Sequence, residues 1–267
     1  MDAPRSPLPR NTLAEALGAG RLALAMIVKQ VEAPGIANAA KTAGYDAVYV
    51  DLEYGVIPEP AATPISQAAL KAGITALIRI PSADPACATR RLQAGALGIV
   101  VPKITSVDQV HAMVRACKCA PYGDRPIPED WFAGDAARLS DDDKRAAVNA
   151  LTTLVVMLES PQALALAEEI AAIAGVDILH IGTTDLTSSM GFPNQFGRPE
   201  IEQAYARVIA ACRAHGKTPG GGGLGTNQEV TRKVIQMGVR FITAGNEWAF
   251  MAAAAKERAA SLHAIPL

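Results

Sequence analysis

Eight short apolar runs recur along this chain, separated by alanine-rich stretches, and that rhythm limits the open folds more than any other feature. They are LALAMIV from Leu22, AVYVDLE from Ala47, ALIRI from Ala76, GIVVPK from Gly98, TLVVMLE from Thr153, ILHIG from Ile178, TPGGGG from Thr218 and RFITAG from Arg240. Most are continuously apolar, as strands of a parallel sheet buried on both faces are. Between them, PGIANAAKTAG, PACATRRLQAG, VDQVHAMVRACK and NQEVTRKVIQMG read as helices, several closed by glycine. Eight such units in 267 residues predict one (β/α)8 TIM barrel domain over residues 1–267. An open doubly wound sheet competes, but no G-x-G-x-x-G follows the first strand.

A net charge of −1 without blocks of like charge predicts neither a nucleic-acid nor a membrane surface. No apolar run is long enough to span a bilayer, and MDAPRSPLPRNT lacks the apolar core of a secretory signal. Cys87, Cys117, Cys119 and Cys212 have no metal-finger spacing and read as reduced thiols of a cytoplasmic protein. Residues 120–148, rich in proline, glycine and acids and holding Trp131 and Phe132, read as a long loop, either lid or interface segment. EWAFMAAAAKERAASL predicts a last helix with an apolar face, covering the barrel or packing on a neighbouring chain.

Barrel chemistry sits at the carboxyl ends of the strands, which turns a list of strands into a list of candidates. Those ends carry Asp51, Glu53 and Tyr54, then Arg79, Lys103, Glu159, Asp185, and Asn246 with Glu247. Singly, a carboxylate there can cap the next helix and an arginine can neutralise a carboxylate. As a set, Glu159 and Asp185 converge from adjacent strands and suit a hard divalent cation, Mg²⁺ or Mn²⁺, with Co²⁺ also possible. Arg79 then faces an anionic substrate, a carboxylate or an enolate oxygen. The run Gly220 to Gly223 lacks the Lys-Ser/Thr of a phosphate loop and reads as room for a close approach.

AGYDAVYVDLEYG, LIRIPSADP, LQAGALGIVVPKI, VVMLESPQAL, GVDILHIGTTDLTSSMG and AHGKTPG, in this order, resemble the metal-dependent (class II) pyruvate aldolases of the 4-hydroxy-2-oxoheptanedioate aldolase type. That family includes macrophomate synthase and is distantly related to the citrate lyase beta subunit. The resemblance implies Glu159 and Asp185 as metal ligands, and Arg79 as the arginine that binds the oxo acid and stabilises its enolate. It further implies Asp51 and Glu53 as the strand-two acids, and the backbone of Gly182, Thr183 and Thr184 as the seat of the substrate carboxylate. A (β/α)8 barrel with a swapped C-terminal helix, assembled as a homo-oligomer (trimer or hexamer), is implied as well.

The sequence departs from that pattern where it bears on mechanism. The histidine that follows the strand-two acids is here Tyr54, a glutamine before the metal-binding glutamate is Met157, and the Gly-x-Arg-Gly loop is YGDRPIPEDWF, where Arg125 alone fits. Histidine suits proton removal because it titrates near neutrality, whereas tyrosine has a reference pKa of about 10. The leading expectation is therefore an aldolase cleaving or forming 4-hydroxy-2-oxo acids through a pyruvate enolate. The alternatives are an oxaloacetate-type decarboxylase, or a lyase on a specialised substrate, with a non-catalytic binding barrel behind both. Lys29 and Gln30 after the first strand, and the YGDRPIPEDWF segment, are candidate specificity elements.

Overall fold

The computed structural model describes residues 8–132, 134–225 and 227–266. β1 (Ala23–Val28), β2 (Ala47–Asp51), β3 (Thr75–Arg79), β4 (Gly98–Val101), β5 (Thr153–Leu158), β6 (Ile178–Gly182), β7 (Thr218–Gly222) and β8 (Phe241–Asn246) coincide with the eight apolar runs. They pair in parallel and in chain order, with β8 returning to β1, so the sheet closes into a barrel. Burial is complete along β2 to β6, which explains why those runs do not alternate.

The barrel has apolar layers inside and out. Tyr49, Leu77, Val100, Val155, Met157, Ile178 and Phe241 fill the interior, while Val48, Ile78, Ile99, Val156 and Leu179 point outward to the helices. Alanines on β1 and β2 leave space at the amino end of the barrel, and the short helix Thr12–Gly18 inserts Leu13 and Ala16 there as a plug. Asn11 caps that helix and also donates to the Leu151 carbonyl and Thr153 Oγ1, latching the plug to β5.

The segment 120–148 is less irregular than expected. Short 3-10 turns occupy Glu129–Trp131 and Gly134–Arg138, and a helix starts at Asp141 behind Ser140, whose hydroxyl accepts from Asp143 N–H. The serine and three aspartates of LSDDDK are a helix start that the sequence reading missed. Trp131 and Phe132 are buried with Leu97, Cys119 and Val148. Leu97 precedes β4, and the segment leads into the amino end of β5, so it lies at the barrel end opposite the strand carboxyl termini. It is no lid over this chain's own mouth, and its Arg125 bonds Thr152 there instead of reaching a substrate.

The last helix, Glu247–His263, forms but does not cover the barrel: among its residues only Glu247 is buried. Trp248, Phe250, Met251 and Leu262 stay exposed along it. No helix among the described residues is long and apolar enough to cross a membrane, and the four cysteines are buried and unpaired.

Candidate active site

Strand register makes the first contact of the site. β2 and β3 pair Asp51 directly with Arg79. Arg79 Nε and Nη2 donate to the two Asp51 oxygens at 2.9 and 2.5 Å, and Nη1 lies 2.9 Å from Glu53 Oε2. The guanidinium is thus a rigid fork between two carboxylates almost closed to water. Burial alone would raise the Asp51 carboxyl, but the Arg79 guanidinium outweighs it and holds the group below its usual range. Asp51 Oδ1 also accepts the N–H groups of Glu53 and Tyr54 at 3.0 and 3.1 Å, which turns the strand end back over itself. Gly55 is required in this turn, since a Cβ would stand 2.2 Å from the Asp51 carbonyl oxygen.

Lys103 ties the second acid to the third. Its ammonium lies 2.8 Å from Glu53 Oε1, and its backbone N–H donates to Glu159 Oε2 at 3.0 Å. It does so from a φ of 54°, a left-handed conformation uncommon outside glycine, which clusters at functional sites. Glu159 Oε1, by contrast, is buried without a hydrogen-bond partner among the described residues. Burial, with the charges of Glu53 and Asp185 close by, pushes this carboxyl up to about 7. Gly182 leaves it space: a Cβ there would come 2.8 Å from Glu159 Cγ and Oε1.

Asp185 sits in the first turn of the helix Thr183–Ser189. With Arg79, Tyr49, Tyr54, Lys29 and Thr184 it lines a cavity of about 180 Å³. The threonine hydroxyls are engaged already, Thr183 with Tyr205 at 2.9 Å and Thr184 with the Gly223 carbonyl at 2.8 Å. What this loop offers a ligand is the backbone N–H groups of the first helical turn, which have no partner within the helix.

Tyr54 lays its ring beside two cations. It is 52% exposed, with the Arg79 guanidinium 5.0 Å and the Lys103 ammonium 5.2 Å from its centroid. Burial and the charges of Glu53 and Asp185 raise its phenol above the ordinary value, so the hydroxyl is protonated at neutral pH.

The structure therefore brings Asp51, Glu53, Tyr54, Arg79, Glu159, Gly182 and Asp185 to one mouth. It adds roles that strand ends alone do not reveal. Glu247 Oε1 accepts from the N–H groups of Lys29, Gln30 and Val31 at 2.7, 2.6 and 3.1 Å, fixing the loop after β1 so that Lys29 Nζ stands 3.5 Å from Asp51 Oδ2. Tyr49 and His180 point inward from apolar strands; a lone polar residue in such a run was the available signal. The glycines of β7 give room, but to side chains: Cβ atoms at Gly220, Gly221 and Gly222 would strike His180, Tyr205 and Thr243.

The sequence profile of the HpcH/HpaI aldolase/citrate lyase family matches residues 26–253. A 4-hydroxy-4-methyl-2-oxoglutarate aldolase of Chaetomium globosum is 33% identical over 258 residues, 94% of each chain. One of the same name from Hapsidospora irregularis is 32% identical over 263 residues, 96% of each chain. The crystal structure of an HpcH/HpaI aldolase from Desulfitobacterium hafniense shares the fold with a TM-score of 0.85 at 23% identity, covering 95% of this chain and 97% of that one.

Proposed function

The chain belongs to the HpcH/HpaI aldolase/citrate lyase family and is a carbon–carbon lyase, and we propose that it acts on 2-oxo acids with a divalent cation held by Glu159 and Asp185. The observation that carries the cation is Glu159 Oε1, a buried carboxylate oxygen beside further acids with no hydrogen-bond partner among the described residues. An oxygen set with open positions fits Mg²⁺ or Mn²⁺. When bound, the cation supplies a Lewis acid that polarises the keto group.

The chain's own residues do the rest. Arg79, immobilised by Asp51 and Glu53, offers fixed positive charge where an enolate oxygen gains negative charge. The first-turn N–H groups at Thr183 and Thr184 hold the substrate carboxylate. Lys103 keeps Glu159 and Glu53 in register. Tyr54 keeps its proton, so retro-aldol cleavage lacks the usual neutral-pH base at that position, while decarboxylation of oxaloacetate forms the same enolate without one.

The test is pyruvate release from 4-hydroxy-2-oxo acids and from oxaloacetate, with Mg²⁺ or Mn²⁺ and with EDTA. Activity appears only with metal, and Tyr54→His raises the ratio of aldol cleavage to decarboxylation. Equal activity in EDTA sinks the metal reading, and a brisk aldolase whose ratio Tyr54→His leaves untouched sinks the role given to Tyr54.

The exposed apolar residues of the last helix, Trp248, Phe250 and Met251, support a homo-oligomer, trimer or hexamer, in which this helix packs on a neighbouring chain. Light scattering on the eluting protein gives a multiple of the protomer mass, and truncation before Glu247 reduces it; a monomeric full chain overturns this. The unpaired buried thiols support a reducing, cytoplasmic setting.

A further inference from the structure

His180 stands inside the barrel, paired in register between Met157 of β5 and Gly220 of β7. It is 1% exposed, yet it lines the same cavity as Arg79 and Asp185. Its ring leans on Phe241, with centroids 5.5 Å apart and planes at 56°. Nδ1 is buried with no hydrogen-bond partner among the described residues. The neighbouring interior positions are apolar: Val155, Met157, Ile178, Leu77 and Val100. An imidazole there leaves polar atoms unsatisfied where a phenyl ring would pack at no such cost.

Glycine in β7 makes that imidazole possible and opens it to the cavity. A Cβ on Gly220 would stand 2.9 Å from Nδ1. A Cβ on Gly222 would stand 3.0 Å from Nε2 and 1.8 Å from Thr243 Oγ1. Gly222 and Thr243 line the cavity too, so Nε2 and the Thr243 hydroxyl, both close to Gly222, face it side by side. Burial and the charge of Arg79 push His180 down to about 3, which keeps the ring neutral, with one N–H and one lone pair. A neutral donor–acceptor beside a hydroxyl matches a partner that both gives and accepts a hydrogen bond.

We propose that His180 and Thr243 form the floor of the substrate cavity and hold a hydroxyl group on the carbon chain of the 2-oxo acid, making His180 a specificity-determining residue. This rests on the lyase reading above. An acid held at the rim by its carboxylate and keto oxygens keeps its third carbon open to the reacting partner. A hydroxyl on that carbon turns down to this pair; plain pyruvate leaves the pair unused.

The experiment follows exchange of the C3 protons of hydroxypyruvate and of pyruvate with D₂O by NMR, using the metal-loaded enzyme and enzyme-free controls. His180→Phe lowers the ratio of hydroxypyruvate to pyruvate kcat/KM about tenfold, as one lost hydrogen bond does. The loss falls on KM, and His180→Gln, which returns an amide near Nε2, recovers part of it. If His180→Phe does not fold, Thr243→Val, which removes only the hydroxyl and keeps the side chain's shape, gives the same fall in ratio. Equal effects on both acids, or none, make His180 a packing residue and overturn the proposal while the lyase reading stands. Exchange of neither acid by the wild type overturns both.

Discussion

Glu159→Gln makes the metal-free protein more stable above pH 7 and, in the same molecule, removes lyase activity. The stability arm follows from the raised carboxyl. A group whose folded pKa lies above its unfolded value costs nothing below the unfolded pKa and becomes a penalty as pH rises through the folded one. For Glu159 that window runs from the ordinary carboxylate range up to about 7. Each pKa unit is worth about 1.4 kcal/mol, so the penalty at pH 8 is on the order of 3 kcal/mol. Glutamine removes it and keeps an acceptor for the Lys103 N–H. Asp51 does not interfere, because its depressed pKa yields stability that is lost only as pH falls through that lower value. The activity arm is larger. Partners that only orient metal ligands cost about 10- to 100-fold when removed, and a ligand costs more than its supporters. Melting curves in EDTA from pH 5 to 8, with turnover at saturating Mg²⁺, read both arms. A variant that melts like wild type at pH 8 and retains turnover places the cation elsewhere.

How much of this was legible in sequence depends on distance along the chain. The eight strands were legible because a strand buried on both faces announces itself locally: AVYVD and TLVVML cannot sit at a surface. Which polar residues gather at the mouth was legible for the same reason, since a barrel gives each strand end one address. The pairing was not. That Arg79 is claimed by Asp51 and Glu53, or that Lys103 reaches Glu53 with its ammonium and Glu159 with its backbone, depends on register and on a left-handed residue, neither of which a single sequence displays. Glu247 acts on Lys29, Gln30 and Val31 across more than two hundred residues, by the closure of β8 on β1. Composition left the segment 120–148 open between a lid and an interface segment; its place between a helix and the start of β5 puts it at the end of the barrel away from this chain's own mouth.

Arg79→Lys separates charge from geometry at the centre of this site. Lysine keeps one positive charge but not the fork that meets both Asp51 oxygens and Glu53 Oε2. Its ammonium can satisfy one carboxylate, so the other loses its fixed partner and the charge facing the substrate becomes mobile. Losing one preorganised stabiliser of developing negative charge costs about 10²- to 10³-fold in kcat, and that range is expected here. Arg79→Ala is a different experiment. It leaves Asp51, which is 0% exposed, without its principal counter-charge, and breaking a buried pair from one side costs about 3–5 kcal/mol of stability. The alanine variant therefore loses activity through folding as well as chemistry, and the lysine variant is the informative one. Its thermal melt falls less than that of the alanine variant, because one positive charge stays between the two carboxylates, while C3 proton exchange of pyruvate, which reports enolate formation alone, falls by the full factor. If exchange survives in Arg79→Lys and only the later bond-forming step slows, the arginine holds the acceptor, not the enolate, and the charge that stabilises the enolate lies with the cation alone.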